Sequence, residues 1–226
     1  MRTRIAAKVL NKLGVLTTAA MLTTGPALAD GQLRKLPDPL QDMPATSSST
    51  PQTAVLAGGC FWGVDGVFKH VKGVISSTAG YAGGQATTAS YYQVSRSTTG
   101  HAESVKVVYD PRQISYGQLL KIYFSVALNP TELNYQGPDY GSQYRSAIFY
   151  TSPAQQQVAQ AYIKQLQDMK VYAAPIVTQV VALPAFYPAE DYHQDYLALH
   201  PDQPYIVAND LPKLEHLRQQ FPGVYK

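Results

Sequence analysis

Residues 58–63, Gly-Gly-Cys-Phe-Trp-Gly, constrain the fold more than any other segment, because they join two different predicted elements. The five residues before them, Thr-Ala-Val-Leu-Ala, predict a short buried strand, and Gly58-Gly59 supply the tight turn that follows it. After the turn, apolar residues recur at helical spacing at Phe61, Val64, Phe68 and Val71. We therefore expect a strand–turn–helix unit whose helix begins at or just after Cys60.

The same segment holds the only cysteine and the only tryptophan of the chain, Cys60 and Trp62. An isolated cysteine is more often a small core residue than a functional group. At the start of a helix, however, free N–H groups and the positive end of the helix dipole favour thiolate over thiol. The position of Cys60 therefore predicts a reactive thiol with a lowered pKa.

The first 29 residues have the three parts of a secretory signal peptide. Four basic residues precede a mostly apolar or small stretch over 13–22, and Ala27-Leu28-Ala29 fits a cleavage site. The apolar run is too short to anchor in a bilayer, and no later segment is continuously apolar for about 18 residues. We expect a periplasmic or secreted protein that keeps no membrane anchor once residues 1–29 are removed.

Charge and cysteine count exclude several classes. The chain has 18 Lys and Arg against 15 Asp and Glu, but residues 1–29 carry four of the basic residues and no acidic one, which leaves about −1 (14 minus 15). No basic stripe indicates nucleic acid as a partner. One cysteine excludes an internal disulfide or a site of several cysteines, and no spacing of His, Asp and Glu resembles a metal site.

Residues 30–52 are predicted to be a flexible leader, because they contain four prolines and a Ser-Ser-Ser-Thr run with few apolar residues. The folded domain is then expected to span 53–226. That length suffices for one hydrophobic core, and we expect a monomer.

Strand and helix patterns alternate irregularly along the domain. Strands are predicted at 74–81, 104–109, 145–150 and 176–183, helices at 116–127, 153–169 and 211–221, and a long loop at 129–143. Ser152 and Asp210 are the predicted N-caps of the last two helices. The pattern predicts an α+β fold, an α/β sandwich with a mixed sheet flanked by helices.

Glu103 puts a carboxyl group on an apolar strand face. Residues 103, 105, 107 and 109 share one face of the predicted strand, and the last three are Val, Val and Tyr. Burial there would disfavour the charged form and raise the pKa, which suits a general acid. A solvated Glu103 at the strand end is the alternative, and alternation alone leaves both open.

Tyrosines and histidines supply further candidates. Loop tyrosines can bind substrate oxygens, although a single one usually packs at the surface; they are Tyr91, Tyr92, Tyr135, Tyr140 and Tyr144. A histidine paired with Cys60 would make a Cys-His hydrolase or acyl transferase, with His101 or His193 as the candidate. A binding module that uses the tyrosine-rich loops on peptide or sugar is the non-enzymatic alternative.

Motifs from Val55 to the C-terminus resemble the methionine sulfoxide reductase A family, in the family's order. They are Gly59-Cys60-Phe61-Trp62-Gly63, Gly80-Tyr81-Ala82-Gly83-Gly84, Tyr91-x-x-Val94, Thr99-Gly100-His101-Ala102-Glu103, Gln136-Gly137-Pro138-Asp139, Gly141-Ser142-Gln143-Tyr144-Arg145-Ser146 and Phe186-Tyr187-x-Ala189-Glu190-Asp191-Tyr192-His193-Gln194-x-Tyr196. The resemblance implies a catalytic domain at 53–226 with a ferredoxin-like core.

The resemblance also implies an activity, the thiol-dependent reduction of methionine S-sulfoxide, free or in proteins, through a sulfenic acid on the nucleophile. The implied roles are a nucleophile (Cys60), an S-methyl pocket (Phe61, Trp62), an acid that protonates the sulfoxide oxygen (Glu103), two hydrogen-bond donors to that oxygen (Tyr91, Tyr144) and an organising carboxylate (Asp139). With the signal peptide, this implies repair of oxidised exported proteins.

Two departures from the family pattern bear on the cycle. Many members carry further cysteines near the C-terminus that resolve the sulfenic acid, whereas this chain has none. No bound cofactor is implied, and regeneration then needs an external thiol reductant, either a thioredoxin-like protein or a small thiol. The second departure is Leu128-Asn129, which stands where members often have His-Asp.

Overall fold

The structure is a computed structural model and describes residues 36–44 and 49–226. The predicted signal peptide at 1–29 lies outside these ranges. The strands of the described residues are β1 (Gln52–Ala57), β2 (Val74–Ala82), β3 (Ala102–Tyr109), β4 (Tyr135–Gln136), β5 (Asp139–Tyr140), β6 (Ala147–Tyr150), β7 (Gln179–Ala182) and β8 (Phe186–Pro188). The helices are α1 (Phe61–Lys69), α2 (Tyr91–Val94), α3 (Tyr116–Ile122), α4 (Pro153–Asp168), α5 (Tyr196–Leu199) and α6 (Leu211–Gln220).

Six strands form one mixed sheet in the order β7-β6-β1-β3-β2-β8, while β4 and β5 form a separate ribbon. Every pairing in the large sheet is antiparallel except β6 with β7, which is parallel. The inner strands β6-β1-β3-β2 alternate with α1 and α3 along the chain as βαββαβ, which is the ferredoxin-like arrangement. The predicted α+β class with a mixed sheet is confirmed.

Helices cover one face of the large sheet, and a smaller cluster of apolar residues lies on the other face. Leu56 and Val105 belong to the main hydrophobic core, together with residues of α1, α3 and α4. Val55 and Phe149 belong to a second, smaller cluster, as expected when successive side chains of a strand point to opposite faces.

The predicted strand–turn–helix unit is confirmed. β1 ends at Ala57, Cys60 is the N-cap residue, and α1 begins at Phe61. Gly59 has φ +92°, and a Cβ atom there would lie 2.7 Å from Cβ of Gln136. Glycine is therefore required at this position both by the backbone conformation and by the space available.

Several predicted boundaries differ from the structure. The helix expected at 116–127 ends at Ile122 and continues as a π-helical turn, Tyr123–Ala127. The strand expected at 176–183 is limited to β7, and the loop expected at 129–143 contains the β4–β5 ribbon. Ser152 caps α4 as predicted, since its side chain accepts from the N–H of Gln155.

Asp210 lies at the N-cap position of α6, as predicted, but its side chain does not cap the helix. A π-helical turn, Ile206–Asp210, runs directly into α6, so no free helix N-terminus is present there. The Asp210 side chain makes no cap hydrogen bond and is instead fully buried, where it accepts from Lys213.

Part of the predicted leader lies against the domain. Leu36 is 2% exposed, and the Tyr162 hydroxyl donates to the carbonyl of Pro37 at 2.8 Å. The Asp42 carboxylate accepts from the N–H of Gly117 at 2.7 Å, at the start of α3. Residues 36–44 therefore contact α3 and α4.

Within the described ranges, none of the helices combines the length and the apolar composition needed to cross a bilayer.

Candidate active site

Cys60 lies at the start of α1 and is 8% exposed. Burial raises the pKa of its thiol well above the usual value, and the charges of Glu103 and Asp210 raise it further. The backbone N–H of Trp62 and the Lys213 ammonium lower this pKa, but by less than burial and the two carboxyl groups raise it. The lowered thiol pKa predicted from the helix start is therefore wrong, because desolvation outweighs the helix terminus.

Glu103 is 3% exposed near the start of β3, so the structure decides between the two alternatives that alternation left open: Glu103 is buried and the solvated alternative is excluded. The N–H of Phe61 donates to its Oε2 at 3.0 Å, which ties the carboxyl group to the first residue of α1. Burial, with smaller contributions from Asp139 and Asp210, raises the pKa of Glu103 to about 8. Glu103 is therefore largely protonated at neutral pH beside the thiol.

The raised pKa of Glu103 has a consequence for stability. Between its ordinary pKa and about 8, the folded protein holds one proton more than the unfolded chain, so stability falls as pH rises across this window. We expect Glu103→Gln to be more stable than the parent, by little at about pH 5 and by up to a few kcal/mol at about pH 8.5. Urea unfolding at several pH values measures the difference, and a difference independent of pH would contradict the buried acid.

Tyr91 and Tyr144 lie near the thiol and Glu103. Tyr91 is the first residue of α2, and Tyr144 ends the 3₁₀ turn Ser142–Tyr144. Burial raises the pKa of each phenol, and Glu103 raises it further. Both hydroxyls therefore keep their protons and can donate hydrogen bonds.

Glu190 holds Tyr91 in place. One of its carboxylate oxygens accepts from the N–H of Tyr91 at 2.9 Å, and the other accepts from the Tyr81 hydroxyl at 2.8 Å. Glu190 thereby links α2 to β2, and Tyr81 pairs across the sheet with Glu103.

Asp139 lies on β5 and accepts a hydrogen bond from the Tyr205 hydroxyl. Burial raises the pKa of Tyr205, and the charges of Cys60 and Asp139 raise it further. The sequence reasoning missed Tyr205, which lies nine residues beyond the last motif tyrosine, Tyr196, in a segment with no strand or helix periodicity.

Aromatic rings form one wall of the site. Trp62 stacks on Tyr196, with centroids 3.8 Å apart and ring planes 7° from parallel. Its Nε1–H donates to Nδ1 of His193 at 3.2 Å, and Tyr205 contacts it edge-on with centroids 6.0 Å apart. Phe61 is 1% exposed and packs against the His193 ring at 5.0 Å.

The histidines do not form a Cys-His pair. Nδ1 of His101 accepts from the N–H of Gly84 at 3.2 Å, and its Nε2 lies 3.0 Å from the carbonyl of Gln85, so both ring nitrogens are occupied. His193 accepts from Trp62, and its Nε2 is buried with no hydrogen-bond partner among the described residues. The geometry thus gives no support to the hydrolase alternative.

Asp210 and Lys213 are two more residues that sequence reasoning did not assign to the site. Asp210 Oδ1 lies 3.2 Å from Lys213 Nζ, and the carboxyl group is completely buried. Both charges act on the Cys60 thiol, in opposite directions. No local pattern could reveal this, because the pair is about 150 residues from Cys60 along the chain.

Gly63 lies directly against this ion pair. A Cβ atom there would lie 2.1 Å from Asp210 Oδ1 and 2.7 Å from Lys213 Nζ. Although alanine is the better helix former by about 1 kcal/mol, we expect Gly63→Ala to destabilise the protein by about 1–3 kcal/mol through overpacking. Denaturant unfolding tests this against Gly223→Ala, whose Cβ would have nothing within 4 Å; equal stabilities would contradict the close contact.

In the part of the chain that the structure describes, no group of three or more His, Cys, Asp or Glu side chains is arranged to hold a metal ion.

The fold is α+β, and its candidate site combines one buried cysteine with one buried acid at the start of α1. A family model described as peptide methionine sulfoxide reductase matches residues 52–224. The chain belongs to the peptide methionine sulfoxide reductase family and is an oxidoreductase.

Relatives and solved structures agree with this membership. The chain is 59% identical over 174 residues to peptide methionine sulfoxide reductase MsrA 2 of Mesorhizobium japonicum, an alignment that covers 77% of this chain and 89% of the relative. It is 52% identical to the MsrA 2 of Synechocystis sp. over 84% of this chain and 90% of the relative.

Two solved structures have a similar fold. Mxr1 from Saccharomyces cerevisiae in reduced form has a TM-score of 0.63 at 32% identity, covering 68% of this chain and 87% of that one. Methionine sulfoxide reductase A of Corynebacterium diphtheriae has a TM-score of 0.58 at 32% identity, covering 69% and 77%.

Proposed function

We propose that this protein reduces methionine S-sulfoxide to methionine, with Cys60 as the nucleophile and Glu103 as the acid. The observation that carries the proposal is the hydrogen bond from Phe61 N–H to the buried Glu103 carboxyl, which sets a proton donor beside the thiol at the start of α1. The family model that matches residues 52–224 supports the same chemistry.

The first half of the reaction, from sulfoxide to methionine, needs no reagent other than the enzyme and its substrate. The sulfur of Cys60 bonds to the sulfoxide sulfur while Glu103 gives its proton to the sulfoxide oxygen. The hydroxyl then passes to the Cys60 sulfur, as the sulfur–oxygen bond of the substrate and the new sulfur–sulfur bond both break. The net change is Cys60–SH plus sulfoxide to Cys60–SOH plus thioether, in which the cysteine is oxidised and methionine is released. The thiol proton restores Glu103, so both groups begin and end the step protonated.

Substrate recognition divides between apolar and polar groups. Phe61 and Trp62 are the proposed contacts for the S-methyl group, since sulfur and methyl groups pack favourably on aromatic faces. Tyr91 and Tyr144 are the proposed donors to the sulfoxide oxygen, which their raised pKa values suit. Asp139, held by Tyr205, is the proposed organising carboxylate.

Regeneration uses an external thiol in this proposal, because the chain contains no second cysteine. Two thiols convert Cys60–SOH back to Cys60–SH and leave as a disulfide with one water. A thioredoxin-like protein or a small thiol can supply them. The protein accordingly meets its substrate and its reductant in turn.

We also propose export, with repair of oxidised proteins in the periplasm or outside the cell. The basic, apolar and small-residue segments of residues 1–29 support this location. Cell fractionation with N-terminal sequencing tests it. A mature chain that begins after Ala29 in the exported fraction is expected, and an uncleaved cytoplasmic chain would rule it out.

The reductase assignment is tested with separate sulfoxide epimers. Purified protein is given the S or the R epimer of free or peptide-bound methionine sulfoxide, with dithiothreitol, glutathione or a thioredoxin system as donor. Methionine should form from the S epimer alone, and the donor comparison identifies the reductant class. If none of these donors supports reduction of the S epimer, the proposal is overturned.

A further inference from the structure

The Asp210–Lys213 pair packs against the first turn of α1 at Gly63. Gly63 is the third residue of α1, and any side chain there would meet both charged groups. Lys213 is partly accessible, with 22% of its side chain exposed, whereas Asp210 is sealed.

Asp210 is incompletely satisfied at this position. Its Oδ1 contacts Lys213, but its Oδ2 is buried with no hydrogen-bond partner among the described residues. Burying a charge in this way is costly, and an apolar pair of similar volume stabilises a fold at least as well. Stability alone therefore gives no reason for a half-satisfied carboxylate beside the nucleophile.

The charged and titratable groups around Cys60 come from several elements. Those that face the thiol or its neighbours are Glu103 on β3, Asp139 on β5, Asp210 and Lys213 at the start of α6, the phenols of Tyr91, Tyr144 and Tyr205, and the ring of His193. Glu103 and Asp210 oppose ionisation of the thiol, and Lys213 favours it.

We propose that Asp210 and Lys213 are positioning residues for the reductase reaction, which seat the first turn of α1 and balance the charge at Cys60. Lys213 favours the thiolate, and Asp210 opposes it. The catalytic meaning of this balance rests on the proposed function, but the balance itself is a property of the resting enzyme.

The test uses the single thiol of the chain as its own probe. The rate of Cys60 alkylation by iodoacetamide is measured from about pH 6 to pH 11 in the full-length mature protein and yields the apparent thiol pKa. The variants are Asp210→Asn, Lys213→Met and the double variant. Glu215→Gln and Arg218→Met are matched controls, because they change an exposed ion pair of the same spacing on the same helix.

The two single variants should shift the pKa of the Cys60 thiol in opposite directions. Asp210→Asn is expected to lower the apparent pKa and Lys213→Met to raise it, each by about one pH unit, which is a tenfold change in thiolate at a fixed pH. The double variant should return near the parent, and the controls should not shift. In each variant, the pH profile of kcat/KM for sulfoxide reduction should shift in the same direction as the thiol pKa.

If Asp210 and Lys213 only stabilise the fold, the variants should behave differently. Both single variants would then lose stability while leaving the thiol pKa unchanged, or would shift it in the same direction, and either outcome overturns the proposal. The alkylation needs no sulfoxide. The charge balance is therefore decided even if the protein proves unable to reduce methionine sulfoxide, and Asp210→Asn decides it alone if Lys213→Met does not fold.

Discussion

Cys60→Ser is expected to abolish reduction of methionine sulfoxide, with a loss of at least roughly 10³-fold in kcat. The chain has no other cysteine that could substitute for the nucleophile. Serine is close in size to cysteine and Cys60 is 8% exposed, so the fold and the aromatic wall should persist. Methionine formation from the S epimer, with dithiothreitol in excess, measures the loss.

The control for Cys60→Ser is its unfolding transition, which should lie close to that of the parent. A variant that folds and keeps a substantial fraction of the parent activity would contradict the nucleophile assignment. In that case the tyrosine-rich loops, rather than the thiol, would have to explain any interaction with sulfoxide.

Glu103→Gln carries the second largest expected effect, a decrease in kcat of about 10²–10⁴-fold. Glutamine keeps an oxygen to accept from Phe61 N–H but has no acidic proton to give to the sulfoxide oxygen. Asp168→Asn is the matched control, because it neutralises an exposed carboxylate that pairs with Lys164 on α4. The control should retain parent activity.

The pH dependence of the parent separates the acid role from a packing role. Because burial raises the pKa of Glu103 to about 8, its protonated form is abundant below that pH and is lost above it. The parent rate should therefore fall on the alkaline side as pH rises through about 8, and Glu103→Gln should lack this decline. A Glu103→Gln enzyme with the same alkaline decline would assign the decline to another group.

Local patterns predicted the elements that carry the main chemistry. The paired glycines and the helical spacing after them placed the start of α1 at or just after Cys60, and strand alternation put Glu103 in line with the apolar face of β3 but left its burial open. Both inferences depend on neighbouring residues only. Turn geometry and side-chain period are set by such neighbours.

Properties that depend on distant residues could not be predicted in this way. The helix start alone favoured a lowered thiol pKa, but burial and the carboxyl groups of Glu103 and Asp210 reverse it. Asp210 fits a local N-cap pattern, yet the turn before it is π-helical and its side chain enters the core. Tyr205 reaches Asp139 across 66 residues of sequence, which no local pattern encodes.

The chemical state of Cys60 after one turnover tests the central claim most directly. Reduced enzyme is mixed with methionine S-sulfoxide in the absence of any thiol donor, and a carbon nucleophile that reacts with sulfenic acid is added before intact-mass and peptide analysis. One methionine and one adduct on Cys60 per enzyme are the predicted result. Methionine formed without an adduct at Cys60, or an acyl group found there instead, would contradict it.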